Sequence, residues 1–456
     1  MIAYQDFIER KTQIGMNSGF EPTFIPDCMF DFQAGLTDWT VRKGRAEILA
    51  GCGLGKSICE LVWAQNVIEH TNKPVLLATP IAVGQQMLKE GEKFGIPCKR
   101  TRDGKMTSEK TIWITNYEQL SKYDPNDFGG FVGDESSAIK DFKSSRRGIV
   151  TEFTRNLRYR LLATATAAPN DFWELGTSSE ALGYLGFRDM ITAFFKQETT
   201  KDRLGWGRTK YRFRGHAEQP FWQWVCSWAR CLRKPSDIGD YDDSRYDLGE
   251  INEHEIIVEA SKARPGMLFP KPASNMREER EERRLTINER CEVMAQLAAD
   301  VGSRPFVAWC ELNPEGDRLV KVIPGSKQIT GSMSDDEKEE TFEAFASGQL
   351  KKLVIKPKIG AWGLNWQHCS DTGMFPSHSF EQYYQAKHRF YRFGQTRKVN
   401  VHLVVTEGES GVLKSIARKS AQAERMFSSI VANCKDALHI LKQESFPNKE
   451  MVPAWL

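Results

Sequence analysis

The chain has 456 residues, which is too long for a single hydrophobic core and suits two globular domains with additional elements. Its apolar fraction of 40% and charged fraction of 27% are ordinary for a folded protein, and no apolar run approaches the length that crosses a bilayer. We therefore expect a soluble, cytoplasmic protein with no membrane partner. The net charge of +3 is nearly neutral, so nucleic-acid binding would have to depend on local basic patches.

Residues 41–175 alternate short apolar runs with polar segments of helical periodicity. Strand, loop and helix in repetition predict an α/β domain with a mostly parallel sheet, which we place at 1–190. The predicted strands are 46–50, 74–78, 111–115, 130–133 and 160–164, and the predicted helices include 57–69 and 81–94.

The segment AGCGLGKS, which ends at Ser57, follows a predicted strand and opens a predicted helix. Its glycines would let backbone N–H groups turn towards a phosphate, because a Cβ would block both the dihedral angles and the approach. Lys56 would pair with the β and γ phosphates, and the hydroxyl of Ser57 would hold Mg²⁺. The pattern predicts ATP and Mg²⁺ as cofactors, bound by Gly51, Gly53, Gly55, Lys56 and Ser57. The alternative is a glycine-rich turn that happens to carry a lysine.

Two adjacent carboxylates follow the predicted strand at 130–133. Asp134, at the strand end, would hold Mg²⁺ through water, and Glu135 would orient and deprotonate the attacking water. An isolated Asp-Glu pair is more often a solvated turn. The functional interpretation depends on a parallel sheet bringing this strand end beside Lys56.

Residues 191–285 differ in composition from both flanks and are predicted to be an inserted segment. Basic and aromatic residues are interleaved along 201–216, and Tyr211 and Phe213 would pack against the sugars or bases of DNA. The candidates for binding DNA phosphates are Arg208, Lys210, Arg212 and Arg214. The alternative is an edge strand with a solvated charged face.

Two further stretches of the inserted segment are predicted to be structural. FWQWVCSWARCL, at 221–232, is expected to be core rather than a platform for base stacking. REEREERR, at 277–284, is expected to be the solvated face of a helix.

A second alternating region, which we place at 286–410, predicts another α/β domain of similar size. Its predicted strands are 305–310, 352–356 and 399–405, and its predicted helices are 335–347 and 379–391. The tail, 411–456, predicts a C-terminal helix. Apolar residues recur on one face of that helix at Val412, Ile416, Ala423, Met426 and Ile430.

The stretch QAKHRFYRFGQ overlaps the predicted helix at 379–391. On a helix, Gln385, Arg389 and Arg392 would lie at i, i+4 and i+7 and share one face. Two guanidiniums on one face could grip phosphate oxygens that gain charge in a transition state, as an arginine finger does. The alternative is a basic surface helix.

These motifs, in this order, resemble those of superfamily 2 helicases, and specifically of the Swi/Snf-type DNA-dependent ATPases. The most characteristic match is QAKHRFYRFGQTRKVNVHLVV at 385–405. The resemblance covers roughly 30–190 and 300–410 and is strongest to the compact members encoded in bacteriophage genomes. It implies two RecA-like P-loop domains, ATP in the cleft between them, and DNA across the same faces.

The resemblance also implies roles for residues that the patterns alone do not single out. Gln33, at the end of FDFQ, would read adenine, and Gly363 and Gln385 would contribute to the nucleotide site. The residues implied to contact nucleic acid are Thr79, Pro80, Thr115 and Asn116. The residues implied to couple the nucleotide state to DNA contact are Thr164, Thr166 and Asn365.

The chain departs from the family pattern in several places. Ser137 stands where the family usually has His, which would weaken the relay between ATP and DNA. Ser57 replaces the commoner Thr, and Ala167 stands where Pro is usual. The large accessory insertions of the family are replaced by the segment 191–285.

The sequence therefore predicts an ATP-dependent DNA translocase or helicase, with duplex DNA favoured over single-stranded DNA as the partner. Its catalytic residues would be Lys56, Asp134, Glu135, Arg389 and Arg392. One alternative is a strand-separating helicase that acts on DNA or RNA, and another is a nucleic-acid-binding scaffold with a weak ATPase. A different P-loop enzyme, such as a small-molecule kinase, would leave the late arginine motif unexplained.

Overall fold

Two largely parallel β-sheets, each with its own helices, organise the chain. The computed structural model describes residues 17–444 except 102, 108, 167–170, 202–206, 247, 249, 261–275 and 361–363. In this part of the chain the sheets have seven and six strands, so the predicted α/β class is confirmed. Within the same residues, no helix combines the length and the apolarity that crossing a bilayer requires.

The first sheet is parallel throughout and has the strand order β3-β4-β2-β5-β6-β1-β9. Its strands are β1 (Arg45–Ala50), β2 (Val75–Thr79), β3 (Cys98–Arg100), β4 (Ile112–Asn116), β5 (Gly130–Asp134), β6 (Tyr159–Thr164) and β9 (Ala229–Leu232). Five of these strands lie where the apolar runs predict them, because strands buried on both faces read as continuous apolar segments. The edge strands β3 and β9 are too short to stand out in the sequence.

Helices cover both faces of this sheet, and we call the whole unit the N-lobe. They are α1 (Asp31–Lys43), α2 (Lys56–Thr71), α3 (Gly84–Phe94), α4 (Ser145–Thr154), α5 (Leu175–Leu182), α6 (Phe187–Phe194) and α7 (Glu218–Trp228). Successive residues of a strand point to opposite faces. Accordingly, Ile48 of β1 joins the core beneath α1 and α2, whereas Leu49 joins the core beneath α5 and α7.

The second sheet is also parallel and has the order β10-β15-β14-β11-β13-β12; we call its unit the C-lobe. Its strands are β10 (Ile251–Val258), β11 (Phe306–Trp309), β12 (Ser326–Ile329), β13 (Lys352–Ile355), β14 (Asp371–Met374) and β15 (Val399–Thr406). Its helices are α8 (Met276–Leu285), α9 (Ile287–Asp300), α10 (Asn313–Val322), α11 (Asp335–Ala346), α12 (Pro357–Gly360) and α13 (Phe380–Lys387). Short 3₁₀ turns occur at Ile81–Val83, Tyr117–Lys122, Pro125–Asp127, Ser136–Ile139, Phe172–Glu174, Pro235–Asp237, Ser244–Tyr246 and Glu407–Glu409.

The segment between the two predicted domains contributes an edge strand to each sheet. It supplies β9 to the first sheet and β10 to the second, and it also forms a separate antiparallel hairpin. The hairpin strands are β7 (Phe195–Lys201) and β8 (Gly207–Phe213). The sequence did not predict the two edge strands, because β9 has four residues and β10 is largely polar.

The expectation that FWQWVCSWARCL is core is confirmed, since Trp222, Trp224 and Trp228 are each at most 2% exposed. The expectation for REEREERR is wrong at the end of its helix, α8. Arg283 is buried there, and its Nε donates to Oε1 of Glu409 at 2.5 Å. A buried guanidinium is tolerated because a carboxylate partner meets it.

The C-terminal helix α14 (Ser410–Glu444) packs against both lobes. Val412 and Ile416, near its start, belong to a core of the C-lobe. Ile430 and Cys434, about four and five turns after Ile416, belong to the core beneath α7 of the N-lobe. The predicted tail helix is therefore confirmed as far as Glu444, together with its apolar face, and the helix connects the two cores.

We predict that Ile430→Ala weakens the attachment of α14 to α7. Ile430 is 1% exposed, so truncation removes buried methyl groups and leaves a cavity, which typically costs about 2–5 kcal/mol of unfolding free energy. Denaturant unfolding followed by tryptophan fluorescence measures this loss, because three tryptophans lie on α7.

The matched control is Ser428→Ala, an exposed position of the same helix. It should change the unfolding free energy by less than about 0.5 kcal/mol. Equal stability of the two variants would contradict the packing of α14 on the N-lobe.

Candidate functional site

The loop between β1 and α2 has the backbone that a phosphate cradle requires. Gly53 has a φ of +87° and Gly55 a φ of +79°, in the left-handed region that glycine adopts without strain. A Cβ on Gly55 would lie 2.2 Å from Nε2 of Gln33, so a larger residue does not fit there. The local conformation therefore depends on the glycines of the motif.

The N-terminus of α2 is open to an anion. In the described part of the chain no side chain caps its first turn, and that turn carries no acidic residue. The N–H groups there, including those next to Ser57, present the positive end of the helix dipole. The ammonium of Lys56 donates to the carbonyl oxygens of Ala50 (2.9 Å) and Gly51 (3.2 Å), which keeps it beside the loop. These features fit the phosphates of a nucleotide.

The order of the first sheet brings several strand ends to one edge. Because β2, β5, β6 and β1 are neighbours, their carboxyl ends place Thr79, Asp134 and Thr164 beside the glycine-rich loop. The hydroxyl of Thr79 donates to Oδ2 of Asp134 at 2.8 Å. Oε1 of Glu135 accepts from the hydroxyls of Thr164 (2.5 Å) and Ser137 (2.8 Å). Both carboxylates are thus oriented by hydroxyl donors.

Glu135 has an unusual backbone. Its φ of +57° and ψ of +58° are left-handed, which costs a residue with a side chain roughly 1–2 kcal/mol. It occupies the sharp turn between β5 and the 3₁₀ turn Ser136–Ile139. A strained residue at the edge of a cleft indicates a position where the direction of the side chain matters.

Negative charge is concentrated at this sheet edge. Burial, and then the charge of Glu135, raises the pKa of Asp134 from 3.8 to about 6. Burial, and then the charge of Asp134, raises the pKa of Glu60 on α2 well above 4.5, and Lys56 opposes both shifts. Hard oxygen ligands in this setting fit Mg²⁺, for which Asp134 and Ser57 are the predicted ligands. The sequence analysis missed Glu60, although an acid within the apolar run ICELVWA is a signal of it.

The predicted helix through the arginine motif ends early. Helix α13 stops at Lys387, and Arg389 and Arg392 follow in turns, so they do not share a helical face with Gln385. The prediction that the helix continues through both arginines is wrong, because two backbone carbonyls accept hydrogen bonds from groups other than the N–H four residues later. The carbonyl of Gln385 accepts from Nε of Arg389 at 3.0 Å, and the carbonyl of Arg389 accepts from the N–H of Trp366 at 3.1 Å.

The two arginines have different surroundings. Arg389 also donates from Nη1 to the carbonyl of Leu364 (3.0 Å) and from Nη2 to Oε1 of Gln385 (2.9 Å). Arg392 donates from Nη1 to Leu364 at 3.1 Å, but its buried Nε has no hydrogen-bond partner among the described residues. Burial, and then the charge of Arg389, lowers the pKa of Arg392 from 12.5 to about 10. Arg392 is therefore the guanidinium with capacity for a new anion.

The glycine-rich loop and the arginine segment face each other directly. A Cβ on Gly53 would lie 2.9 Å from the backbone nitrogen of Phe393 and 3.5 Å from Cβ of Arg392. Nearby, Nε2 of Gln385 lies 3.5 Å from Oε2 of Glu135, at the outer limit of a hydrogen bond. The candidate residues of the two lobes therefore border one crevice, which is closed by contact in this structure.

Gln33 lies beside this crevice with aromatic neighbours. Its Nε2 donates to the carbonyl of Leu54 at 3.1 Å, and its Oε1 accepts from the N–H of Phe30 at 3.2 Å. The ring of Phe30 meets Tyr246 and Phe393, whose own rings stack at 5.3 Å between centroids. The sequence analysis missed this aromatic cluster, because its members come from three distant segments.

Two of the positions implied to contact nucleic acid, Thr79 and Thr115, are not at a surface. Thr79 is buried against Asp134, and Thr115 is buried with its hydroxyl 3.2 Å from that of Tyr123. Oδ1 of Asn116 is also enclosed. The predictions for Thr79 and Thr115 are corrected for the conformation seen here, since strand ends covered by neighbouring turns are inaccessible, whereas the prediction for the half-buried Asn116 stays a prediction. Pro80 alone of this group lines a cavity between the lobes.

That cavity has a volume of about 460 Å³ and is bordered by both lobes. Its charged lining is mixed and comprises Lys140, Arg146, Lys338, Lys358, Glu118, Glu135, Asp141, Asp335, Glu339 and Glu381. Ion pairs cross between the lobes close to it, with the basic partner in the N-lobe and the acidic partner in the C-lobe. They are Lys89–Glu343, Arg100–Glu339 and Lys140–Glu381.

The β7–β8 hairpin contains the predicted basic patch. The predicted strand is confirmed, and Arg212 is 68% exposed with Nε 3.0 Å from Oε2 of Glu198. The side chains of Arg208 and Lys210 lie outside the described residues. Arg214 donates from Nε to the carbonyl of Phe195 at 2.8 Å. Arg212 and Arg214 are therefore both exposed, and Arg212 lies at the strand position opposite Lys196.

The aromatic residues of the hairpin point inwards. Tyr211 packs edge-on against Trp173, and Phe213 stacks on Phe195 at 4.7 Å between centroids. The expectation that they pack against DNA sugars or bases is therefore wrong, because the apolar face of this amphipathic strand packs against the protein core.

The residues predicted to couple the nucleotide to DNA lie near the crevice. The N–H of Thr166 donates to the hydroxyl of Thr164 at 3.0 Å, so Thr166 adjoins the group that holds Glu135. Asn365 has a buried Oδ1 with no hydrogen-bond partner in the described part of the chain. Gly363 and Ala167 lie outside the described residues.

A buried acid on β1 was not predicted. Glu47 is 1% exposed and lies on the same strand face as Leu49. Its Oε1 accepts from the hydroxyls of Ser136 (2.6 Å) and Ser178 (2.9 Å). Burial raises the pKa of Glu47 from 4.5 to about 7. An acid inside the apolar run AEILA was the available signal.

Comparison of the chain with protein-family models and with curated proteins gave no match.

We predict that Glu47 makes stability fall as the pH rises. The folded chain holds the Glu47 proton more tightly than the unfolded chain, so stability is lost between about pH 4.5 and 7, up to about 3 kcal/mol. Glu47→Gln cannot ionise. Its melting temperature should be close to that of the wild type at pH 5 and above it at pH 8.

Thermal melts at several pH values measure this difference. Glu340→Gln, which changes an exposed acid, is the control and should follow the wild type. A gap between Glu47→Gln and wild type that is the same at pH 5 and pH 8 would show that Glu47 does not titrate in this way.

Proposed function

We propose that the chain is an ATP-dependent DNA translocase or helicase of superfamily 2, with Swi/Snf-type motifs and a RecA-like unit on each parallel sheet. The observation that supports this most is the contact between the glycine-rich loop and the arginine segment, where Gly53 meets Phe393. A P-loop enzyme that uses one lobe, such as a small-molecule kinase, would not account for this second surface.

The residues around the crevice suit hydrolysis of a phosphoanhydride. Lys56 and the N-terminus of α2 would bind the phosphates, and Ser57 and Asp134 would hold Mg²⁺, which offsets phosphate charge. Glu135, held by Thr164, would orient a water molecule and accept its proton. Positioning and charge stabilisation are the main requirements of this reaction.

The contact between Gly53 and Phe393 restricts how a nucleotide can enter the crevice. A triphosphate has no space between Gly53 and Phe393, so its binding would require the lobes to separate there. Closure on the bound nucleotide would then bring Arg392, with its unpartnered Nε, to the γ-phosphate. Loss of that phosphate removes the contact, so turnover would alternate two arrangements of the lobes.

The cavity between the lobes is the proposed path of the nucleic acid. The basic side chains of Arg100 and Lys140 beside it are neutralised by carboxylates of the C-lobe. Nucleic-acid phosphates would compete with those carboxylates for the same cations. Binding of DNA would therefore break cross-lobe contacts, which gives a physical route by which DNA could stimulate ATP turnover. The preference for duplex DNA rests on the resemblance of the motifs.

We predict that ATP hydrolysis rises when duplex DNA is added and that Lys56→Ala lowers kcat by roughly a hundredfold or more, since it removes a charge that stabilises the transition state. Steady-state ATPase should be measured with single-stranded DNA, duplex DNA, forked DNA and RNA in parallel. Lys73→Ala, at an exposed lysine beyond the end of α2, is the control and should behave as wild type.

Turnover that ignores every nucleic acid would contradict the motor. A strand-unwinding assay and a triplex-displacement assay then separate the two alternatives. Displacement without unwinding identifies a translocase, and unwinding of DNA or RNA identifies a strand-separating helicase.

We predict that alanine substitutions of Arg392 and Arg389 have different effects on activity and stability. Arg392→Ala should lower kcat by about a thousandfold with little change in melting temperature, because its guanidinium has spare donors for the transition state. Arg389→Ala should lower the melting temperature, because it removes three hydrogen bonds that join Gln385 and Leu364. Kinetics and thermal melts of both variants decide this. Indistinguishable losses would show that the arginines act as one pair.

A further inference from the structure

A carboxylate outside the crevice holds the turn that carries Glu135. Glu47 lies on β1, the second strand from the edge of the first sheet, with Leu162 and Ala229 as its partners on the flanking strands. Its Oε2 accepts no hydrogen bond from any residue that the structure describes. A buried acid with an unmet oxygen is less favourable than an apolar residue of similar volume. Packing therefore does not account for an acid at this position.

The hydrogen bonds of Glu47 lead to the catalytic turn. Ser136, whose hydroxyl donates to Glu47 at 2.6 Å, directly follows Glu135. It is also the first residue of the 3₁₀ turn in which Ser137 donates to the Glu135 carboxylate. Since the left-handed backbone of Glu135 is unfavourable for a residue with a side chain, the turn needs a restraint from outside itself. Glu47 supplies that restraint from β1.

Ser178 on α5 donates to the same oxygen of Glu47 at 2.9 Å. This second donor belongs to a helix rather than to the turn, and its bond helps to fix the direction of the Glu47 side chain. The hydrogen bond from Ser178 thus orients the carboxylate of Glu47, and the hydrogen bond from Ser136 connects that carboxylate to the turn.

We propose that Glu47 is a positioning residue: through Ser136 it holds the left-handed turn that aims the carboxylate of Glu135 at the crevice. The inference rests on the proposed function, in which Glu135 orients the attacking water. It predicts that Glu47 affects the rate of the chemical step rather than the binding of nucleotide.

Glu47→Leu is the decisive variant. It removes the acceptor and places an apolar side chain in an apolar environment. The gain from removing a buried acid offsets the loss of an acceptor for the hydroxyls of Ser136 and Ser178, so the melting temperature should change little. The kcat for ATP should fall roughly ten- to hundredfold through misplacement of Glu135, with KM within about threefold of wild type. Glu47→Gln retains an oxygen acceptor and should recover most of kcat.

Two serine variants test the route. Ser136→Ala should reproduce the loss of kcat seen in Glu47→Leu, and combining the two should add little, because both break the same bond. Ser179→Ala is the control, since the hydroxyl of Ser179 donates to the carbonyl of Leu185 and not to Glu47. It should leave kcat unchanged.

Hydrogen exchange gives a readout that does not need activity. The N–H of Ala138 donates to the carbonyl of Glu135 at 3.0 Å, and that of Lys140 donates to Ser137 at 3.3 Å. Both amides should exchange faster in Glu47→Leu than in wild type. Unchanged exchange, or a kcat that falls only in proportion to stability, would overturn the inference. A wild type without ATPase would contradict the proposed function, and exchange would still decide whether Glu47 holds the turn.

Discussion

The burial of carboxylates at one edge of the first sheet is the constraint on which the site depends. At that edge Asp134 and Glu135 are at most 9% exposed, and Glu60 on α2 and Glu47 within β1 are buried nearby. Lys56 bonds loop carbonyls rather than these acids. Apart from Nε2 of Gln385, 3.5 Å from Glu135, the side-chain donors that the acids meet in the described part of the chain are hydroxyls. These donors are Thr79, Thr164, Ser136, Ser137 and Ser178. Hydroxyls offset part of the desolvation cost but not the mutual repulsion, so the edge favours a bound cation.

The opposite charge lines the other sides of the crevice. The N-terminus of α2 and Lys56 face it from the N-lobe, and Arg392 faces it from the C-lobe, already with a pKa lowered by burial and by Arg389. Positive groups brought together from two lobes repel unless an anion lies between them. A polyanion that carries its own cation would satisfy both the basic walls and the acidic edge. The cross-lobe ion pairs at Arg100 and its neighbours keep the lobes together by other means.

The local features were the predictable ones. The strands around Lys56 and Asp134, the loop between β1 and α2, and helix α14 follow from apolar periodicity and glycine spacing, which act over a few residues. The end of α13 could not be predicted, because the groups that end it include Trp366, from another loop. The burial of Thr79 likewise depends on which strands become neighbours. The hydrogen bond between Glu47 and Ser136 could not be predicted for the same reason, since it forms only once β1 lies beside the turn that contains Ser136.

Helix α14 has one part in each core, which restricts how the lobes can move. At 1.5 Å per residue, about 15 Å of helix separates Ile416 in the C-lobe from Met426 in the N-lobe. A helix does not lengthen, so a straight withdrawal of one lobe from the other would pull one of these anchors out of its core. A swing about an axis near α14 leaves both anchors seated. Such a pivot would convert a small gap at the glycine-rich loop into a larger displacement of whatever lies farthest from the helix.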